Sequence, residues 1–357
     1  GMVATGMIGC DLGLASCTCC QAGFGKSGAR FIVSTIFAVN MIGWFGIQNG
    51  VCGEAFSNAM LAMTGWDIPV VVSNTIWGII MLLTAVYGVH ALEKLDKISI
   101  PLLMIIMCYG IFLAFKVYGT GNLNDEGTVQ SMSFMSGVAL SFNFTAVGTI
   151  TGPDYTRFQK SRKDTVKSVF YGVFPMGVIT LIMGIVLTKL SGQYDISMVL
   201  IEVGLPLLGI IALVISTWTT NSTNAYSAGL NIVMALKLKD NRRREATLIS
   251  GIVGIVLCDL GILGHVEGVL SLLSYVVCPV GGVILADYWV VGKGKAKNFR
   301  PQDGVNWAGV IAWALGAIIS YTLVKIEFVG IIIGFVIYLI AEHFIPSASR
   351  DNAENIA

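Results

Sequence analysis

The feature that most constrains this chain is a series of apolar runs, each about as long as a membrane is thick. Runs of roughly 20 residues, the length that spans a hydrocarbon core of about 30 Å, recur between polar breaks near 31–62, 69–91, 98–118, 132–152, 168–190, 198–236, 247–264, 268–291, 306–324 and 327–345. Only 12% of the 357 residues are charged, against about 25% in soluble domains. Disorder, nucleic-acid binding and an ordinary soluble enzyme are thereby excluded, and an all-α polytopic membrane protein with ten complete spans is expected.

Charge gives an independent test of that topology, because loops rich in Lys and Arg face the cytoplasm. Alternate loops and the tail hold 19 of the 22 basic residues, from Lys26 and Arg30 through Arg157–Lys167, Lys237–Arg244 and Lys293–Arg300 to Arg350. The opposite loops carry only Lys116, Lys189 and Lys325 beside Asp67, Asp125, Glu126, Asp195 and Glu267. The C-terminus, residues 346–357, is therefore expected to be cytoplasmic, in a multi-pass protein of the cell membrane. Residues 1–20 are too short and polar for a full span. They are expected to be the remnant of a second helix, so that the intact protein would have twelve spans.

Several motifs can be weighed on chemistry. Gly23-Phe24-Gly25-Lys26-Ser27-Gly28 matches a dinucleotide fingerprint in spacing, but no strand precedes it and an apolar span follows, so a glycine-rich turn is the reading. Cys10, Cys17, Cys19 and Cys20 lack a second Cys-x-x-Cys pair or a nearby His, which argues against zinc. No Ser-His-Asp, Cys-His or paired-carboxylate arrangement stands out, so no covalent catalysis is expected.

The span 31–62 is more informative. Trp66, Trp289 and Trp307 sit near interfaces, as membrane tryptophans usually do. Trp44 lies near mid-span instead, with Asn40 and Gln48 one turn to either side on the same face. That face is either glue between helices or the lining of a cavity. An aromatic plate beside an amide suits a planar ring that needs stacking and edge hydrogen bonds. Nearby, Gly43, Gly46, Gly50 and Gly53 let a helix or a flat ligand approach. A second unusual run, Ser216-Thr217-Trp218-Thr219-Thr220-Asn221-Ser222-Thr223-Asn224, puts eight hydroxyls and amides at mid-membrane. Such groups are costly in hydrocarbon unless satisfied; eight exceed what bonding back to their own helix should absorb, so a polar cavity is expected. A third signal is Gly148 followed by Pro153-Asp154, which predicts a helix break where Asp154 and Arg157 pair at the mouth. Among acids inside spans, Glu54 is the best proton-relay candidate.

Taken together, Gly43-Trp44-Phe45-Gly46, the run from Gly148 to Phe158, Trp218-Thr219-Thr220-Asn221, Tyr226-x-x-Gly229-Leu230 and Pro279-Val280-Gly281-Gly282 to Tyr288 resemble the nucleobase:cation symporter-1 family, in its cytosine and purine permease group. The resemblance covers residues 9–320 in family order. It implies a LeuT-type transporter with two inverted repeats, here the rest of the first at 31–118 and the second at 132–291, and two peripheral helices within 306–345, all as one transmembrane domain. It implies import of a nucleobase, cytosine first among the candidates, driven by a sodium or proton gradient; another ring of the family, or a passive channel, is the alternative. Stacking roles fall on Trp44 and Phe144, with Phe142 as the alternate, and ring-edge contacts on Asn221 and Gln48. The sodium ligands implied are the carbonyl of Ser216 and the hydroxyls of Thr219 and Thr220. The implied partners are the nucleobase and the lipid bilayer, with no nucleic acid, no obligatory protein and no cofactor beyond the coupling ion.

Overall fold

The computed structural model describes residues 1–87, 89–124, 133–192 and 196–345. The tail 346–357 and the loop acids Asp125, Glu126 and Asp195 lie outside the described residues. Among those described the fold is all helix. The elements are α1 (Met2–Leu12), α2 (Ser34–Thr64), α3 (Val70–Tyr87), α4 (Val89–Tyr118), α5 (Phe134–Ile150) and α6 (Gly152–Thr156). They continue with α7 (Arg162–Ser191), α8 (Pro206–Ala235), α9 (Arg243–Asp259), α10 (Val266–Leu285, extended by a wider turn to Val291), α11 (Trp307–Val324) and α12 (Val329–Phe344). Six helical segments are apolar and long enough to cross a membrane on composition alone. The 30-residue α8 is long enough, but its polar centre dilutes its hydropathy.

Two boundaries differ from the apolar runs, for identifiable reasons. Residues 92–97 carry four charged side chains, yet they continue the helix of α4 rather than forming a loop. Leu, Glu and Lys are good helix formers, and a helix need not end where the hydrocarbon does. The run 198–236 is not one helix. Gly204 takes a left-handed conformation (φ 86) and Pro206 opens α8, so a short helix, Ile196–Glu202, stands apart.

The centre of the molecule is the packing of α2 against α8, with α3 and α9 alongside. The α2 glycines meet neighbouring helices: a side chain at Gly43 would touch Leu273 of α10, and one at Gly46 the Gly254 carbonyl of α9. Two apolar clusters flank this centre. One gathers α2, α5, α10, α11 and α12 around Trp44, Val280 and Tyr338; the other joins α2, α3 and α8 through Phe45, Met81 and Val214.

The glycine-rich turn has a structural purpose. Gly25 (φ 76) lets residues 22–27 run beside 302–306, where Lys26 N donates to Gln302 O (2.7 Å), Ser27 N to Gly304 O (2.8 Å) and Asn306 N to Phe24 O (2.8 Å). This strap ties the start of α2 to α11. Gly309 completes it, since a Cβ there would stand 2.0 Å from the Gly23 carbonyl oxygen. Gly309→Val is expected to cost about 1–3 kcal/mol or more through overpacking, read as a lowered Tm of the purified protein. Gly172→Ala, in open space on α7, should leave Tm unchanged or raise it slightly.

Candidate functional site

The mid-span tryptophan and one of the two candidate phenylalanines are neighbours. Trp44 of α2 and Phe144 of α5 have ring centroids 5.6 Å apart, tilted by 56°. Phe142 is two residues away, and a helix turns about 200° over two residues, so it faces away. It packs instead on Phe328, at 5.6 Å, beside α12. Trp44 is only 9% exposed, whereas Phe144 is 54% exposed. The pair is therefore a wall on one side and an open lip on the other.

The amides divide. Gln48 is half-buried one turn from Trp44 and has no hydrogen-bond partner among the described residues. Asn40 is buried and donates back to Ile36 O at 3.2 Å, leaving its Oδ1 unpaired. Asn221 is fully buried between α2, α3 and α8. Its Nδ2 donates to Phe45 O (3.1 Å) and approaches Met81 Sδ (3.5 Å), while its Oδ1 is unpaired. Asn221 thus braces the residue next to Trp44, and Gln48 is the amide left free beside the ring.

The polar run of α8 is absorbed differently from expectation. Ser216, Thr217, Thr219, Thr220 and Thr223 all donate back to carbonyls three or four residues earlier. Trp218 Nε1 donates to Thr84 Oγ1 (2.9 Å) and Ser222 Oγ to Met81 O (3.0 Å), which fixes α8 to α3. Bonding back, judged insufficient from sequence, covers five hydroxyls here. A narrower feature remains on the face bearing Ser216, Thr219, Thr220 and Thr223. The Ser216 carbonyl lies 3.0 Å from Thr219 Oγ1 and 3.1 Å from Thr220 Oγ1, and Thr220 is exposed. Three oxygens converge there, and a hard monovalent cation would bind such donors once the hydroxyl protons turned away. Glu54 is exposed and has no partner among the described residues.

The predicted break is present. α5 ends at Ile150, Thr151 leaves helical geometry (ψ 13), and α6 starts anew with Pro153 in its first turn. The break is seated on α1: Thr5 Oγ1 donates to Thr149 O (2.5 Å) and Thr156 Oγ1 to Gly6 O (2.7 Å). Asp154 does not form the ion pair with Arg157 that the sequence suggested. It accepts the backbone N–H of Ser16 at 2.8 Å. Burial pushes its carboxyl above the usual range, and the Ser16 bonds and Arg157 pull it back.

The sequence pattern of the family described as permeases for cytosine/purines, uracil, thiamine and allantoin matches residues 1–343. The chain belongs to this permease family. The Escherichia coli (strain K12) cytosine permease is 31% identical over 335 residues, covering 92% of this chain and 76% of the relative. The Bacillus subtilis allantoin permease is 24% identical, covering 98% of this chain and 81% of the relative. Among solved structures, Mhp1, a nucleobase-cation-symport-1 transporter in a closed conformation with bromovinylhydantoin bound, superposes with a TM-score of 0.77. That match covers 96% of this chain and 82% of Mhp1 at 18% identity, and it shows the LeuT-type fold. The protein is a multi-pass nucleobase transporter, and this permease family is one of carriers rather than enzymes.

Within the permease fold, the sequence missed one set of residues. Asp11, Arg162 and Tyr288 converge at the end of the bundle that carries the basic loops, from three helices far apart in the chain. The sequence signals were the placing of Arg162 in a basic loop and of Tyr288 at the end of the Pro279–Tyr288 motif.

Proposed function

We propose that the protein imports cytosine across the cell membrane, coupled to a sodium or proton gradient, with its C-terminus and basic loops in the cytoplasm. The orientation rests on the 19 of 22 basic residues that fall in alternate loops and the tail of the sequence. The observation that carries the site is the Trp44–Phe144 pair beside the unpartnered amide of Gln48. A ring between two aromatic plates needs about 3.5 Å of contact on each side. Centroids 5.6 Å apart leave no such gap, so the base parts the pair on entry and the two rings close on its faces. Gln48 then supplies one acceptor and two donors to the ring edge. Asn221 positions Trp44 through the Phe45 carbonyl rather than meeting the ring. The coupling ion sits on the Ser216 carbonyl and the Thr219 and Thr220 hydroxyls. As cargo rather than a resident cofactor, it binds and leaves with each cycle.

Competition binding tests the substrate. Radiolabelled cytosine bound to the protein in membranes should be displaced by unlabelled cytosine at lower concentration than by uracil, allantoin or a hydantoin. Tighter binding of one of those rings would transfer the assignment to it, and no saturable binding of any would end the reading.

A further inference from the structure

Where α2, α3 and α9 meet, at the end of the bundle opposite the basic loops, a buried polar seam is only half satisfied. Asn49, Gly53 and Ser57 recur at every fourth position of α2, so they share a face. Gly78 of α3 lies against Asn49, where a Cβ would stand 3.0 Å from Nδ2. One turn along α3, Asn74 lies against Gly53, where a Cβ would stand 1.9 Å from Asn74 Oδ1. Asn49 Nδ2 donates to the Asn74 carbonyl (2.9 Å), and Asn74 Nδ2 donates to Oδ1 of Asp259 (3.1 Å), the last residue of α9. Both amides thus use a donor and leave the oxygen without a partner, and the hydroxyls of Ser57 and Ser73 are unpaired beside them. None of these four side chains is more than 5% exposed.

Two features separate this seam from ordinary helix glue. Glue closes its oxygens as well as its N–H groups, because each buried polar atom left open is costly; here four oxygens stay open. The charge is also out of place. Asp259 stands at the C-terminal end of a 17-residue helix, where the last carbonyls repel a carboxylate and attract a cation. No described ion pair includes it. One negative charge among neutral oxygens suits a hard monovalent cation, whereas divalent sites usually gather more carboxylates.

We propose that this seam binds a monovalent cation, sodium or potassium, on the Asp259 carboxylate and the amide oxygens of Asn74 and Asn49. A half-turn of the Asn74 amide exchanges Nδ2 for Oδ1 and presents that oxygen to Asp259, with the ion holding together two groups that otherwise repel. Asp259 is half-buried, so water completes the shell. The ion ties α9 and α3 to α2, the helix that carries Trp44 and Gln48. The Ser216 carbonyl and the Thr219 and Thr220 hydroxyls belong to α8 and take no part, so this second site stands independently of the coupling-ion reading.

Thermal unfolding tests it, on purified protein carrying Thr220→Val so that the α8 oxygens are disabled. Sodium chloride or potassium chloride, compared with choline chloride at equal concentration, should raise Tm by about 2–4 °C once the ion is roughly tenfold above its Kd. No rise with either salt overturns the proposal. Asp259→Asn in the same background keeps the shape and removes the charge. It should abolish the rise, and in choline chloride its Tm should be unchanged or higher, since an uncompensated charge has left the helix end. A full salt effect in this variant, or the same loss of Tm in all three salts, shows glue only and overturns the site. Should that variant not fold, Asn74→Ala removes one oxygen and should raise the salt concentration giving half the effect about tenfold; an unchanged value overturns the site equally. The sodium dependence of cytosine binding in the parent is read separately and reports on the α8 oxygens.

Discussion

Phe144→Ala is expected to weaken cytosine binding by roughly 30- to 1000-fold, the equivalent of about 2–4 kcal/mol from lost burial and stacking. Trp44→Ala should do the same or abolish binding, but Trp44 is buried in the largest apolar cluster. Its removal also opens a cavity that costs about 3–5 kcal/mol of stability. Phe144 is half-exposed, so its loss tests the site with little effect on folding. Phe142→Ala is the matched contrast, because Phe142 packs on Phe328 and not on Trp44. Trp44→Phe should retain binding at a several-fold loss. Equal affinity in Phe144→Ala and the parent, in a binding isotherm, would remove the aromatic pair from the account.

The second large effect concerns the ion. Thr220→Val keeps the shape of the side chain and removes the oxygen that lies 3.1 Å from the Ser216 carbonyl. If sodium binds there, it raises cytosine affinity, and cytosine raises sodium affinity by the same factor. The variant should lose that rise entirely. Thr217→Val is the control, since the Thr217 hydroxyl donates to Leu213 and Val214 and lies off the Ser216–Thr220 face. A full sodium effect in Thr220→Val would show that the hydroxyl only serves its own helix. A parent that responds to pH and not to sodium would move the coupling to protons, with the exposed Glu54 as the first residue to vary.

Much of this architecture was legible in the sequence, and the reasons differ by element. The spans were legible because hydrocarbon thickness sets a length that apolar runs must meet. The extra helical turns at 92–97 were not, since helix continuity follows propensity and not hydropathy. Trp44 stood out because a tryptophan at mid-span is unusual. The choice between Phe142 and Phe144 was open because both flank one turn of one helix, and only the position of α2 decides it. The polar run of α8 was noticed for a sound reason and over-read. Five of its hydroxyls bond back to their own helix, more than the sequence led one to expect, and the Ser216 carbonyl lies with the Thr219 and Thr220 hydroxyls on one face. Asp154 was paired with its neighbour Arg157, whereas its partner, Ser16, is 138 residues away in sequence. Contacts at that separation leave no local pattern to read.

The central claim, that this protein drives a nucleobase across the membrane against its gradient, is tested most directly by uptake. Radiolabelled cytosine is offered to proteoliposomes under an imposed sodium gradient, an imposed proton gradient, or neither. The account predicts saturable accumulation above the external concentration under one of the two gradients, collapsing when an ionophore dissipates it and lost in Phe144→Ala. Equilibration to the external concentration and no further, whatever gradient is imposed, would contradict it and indicate a passive pore.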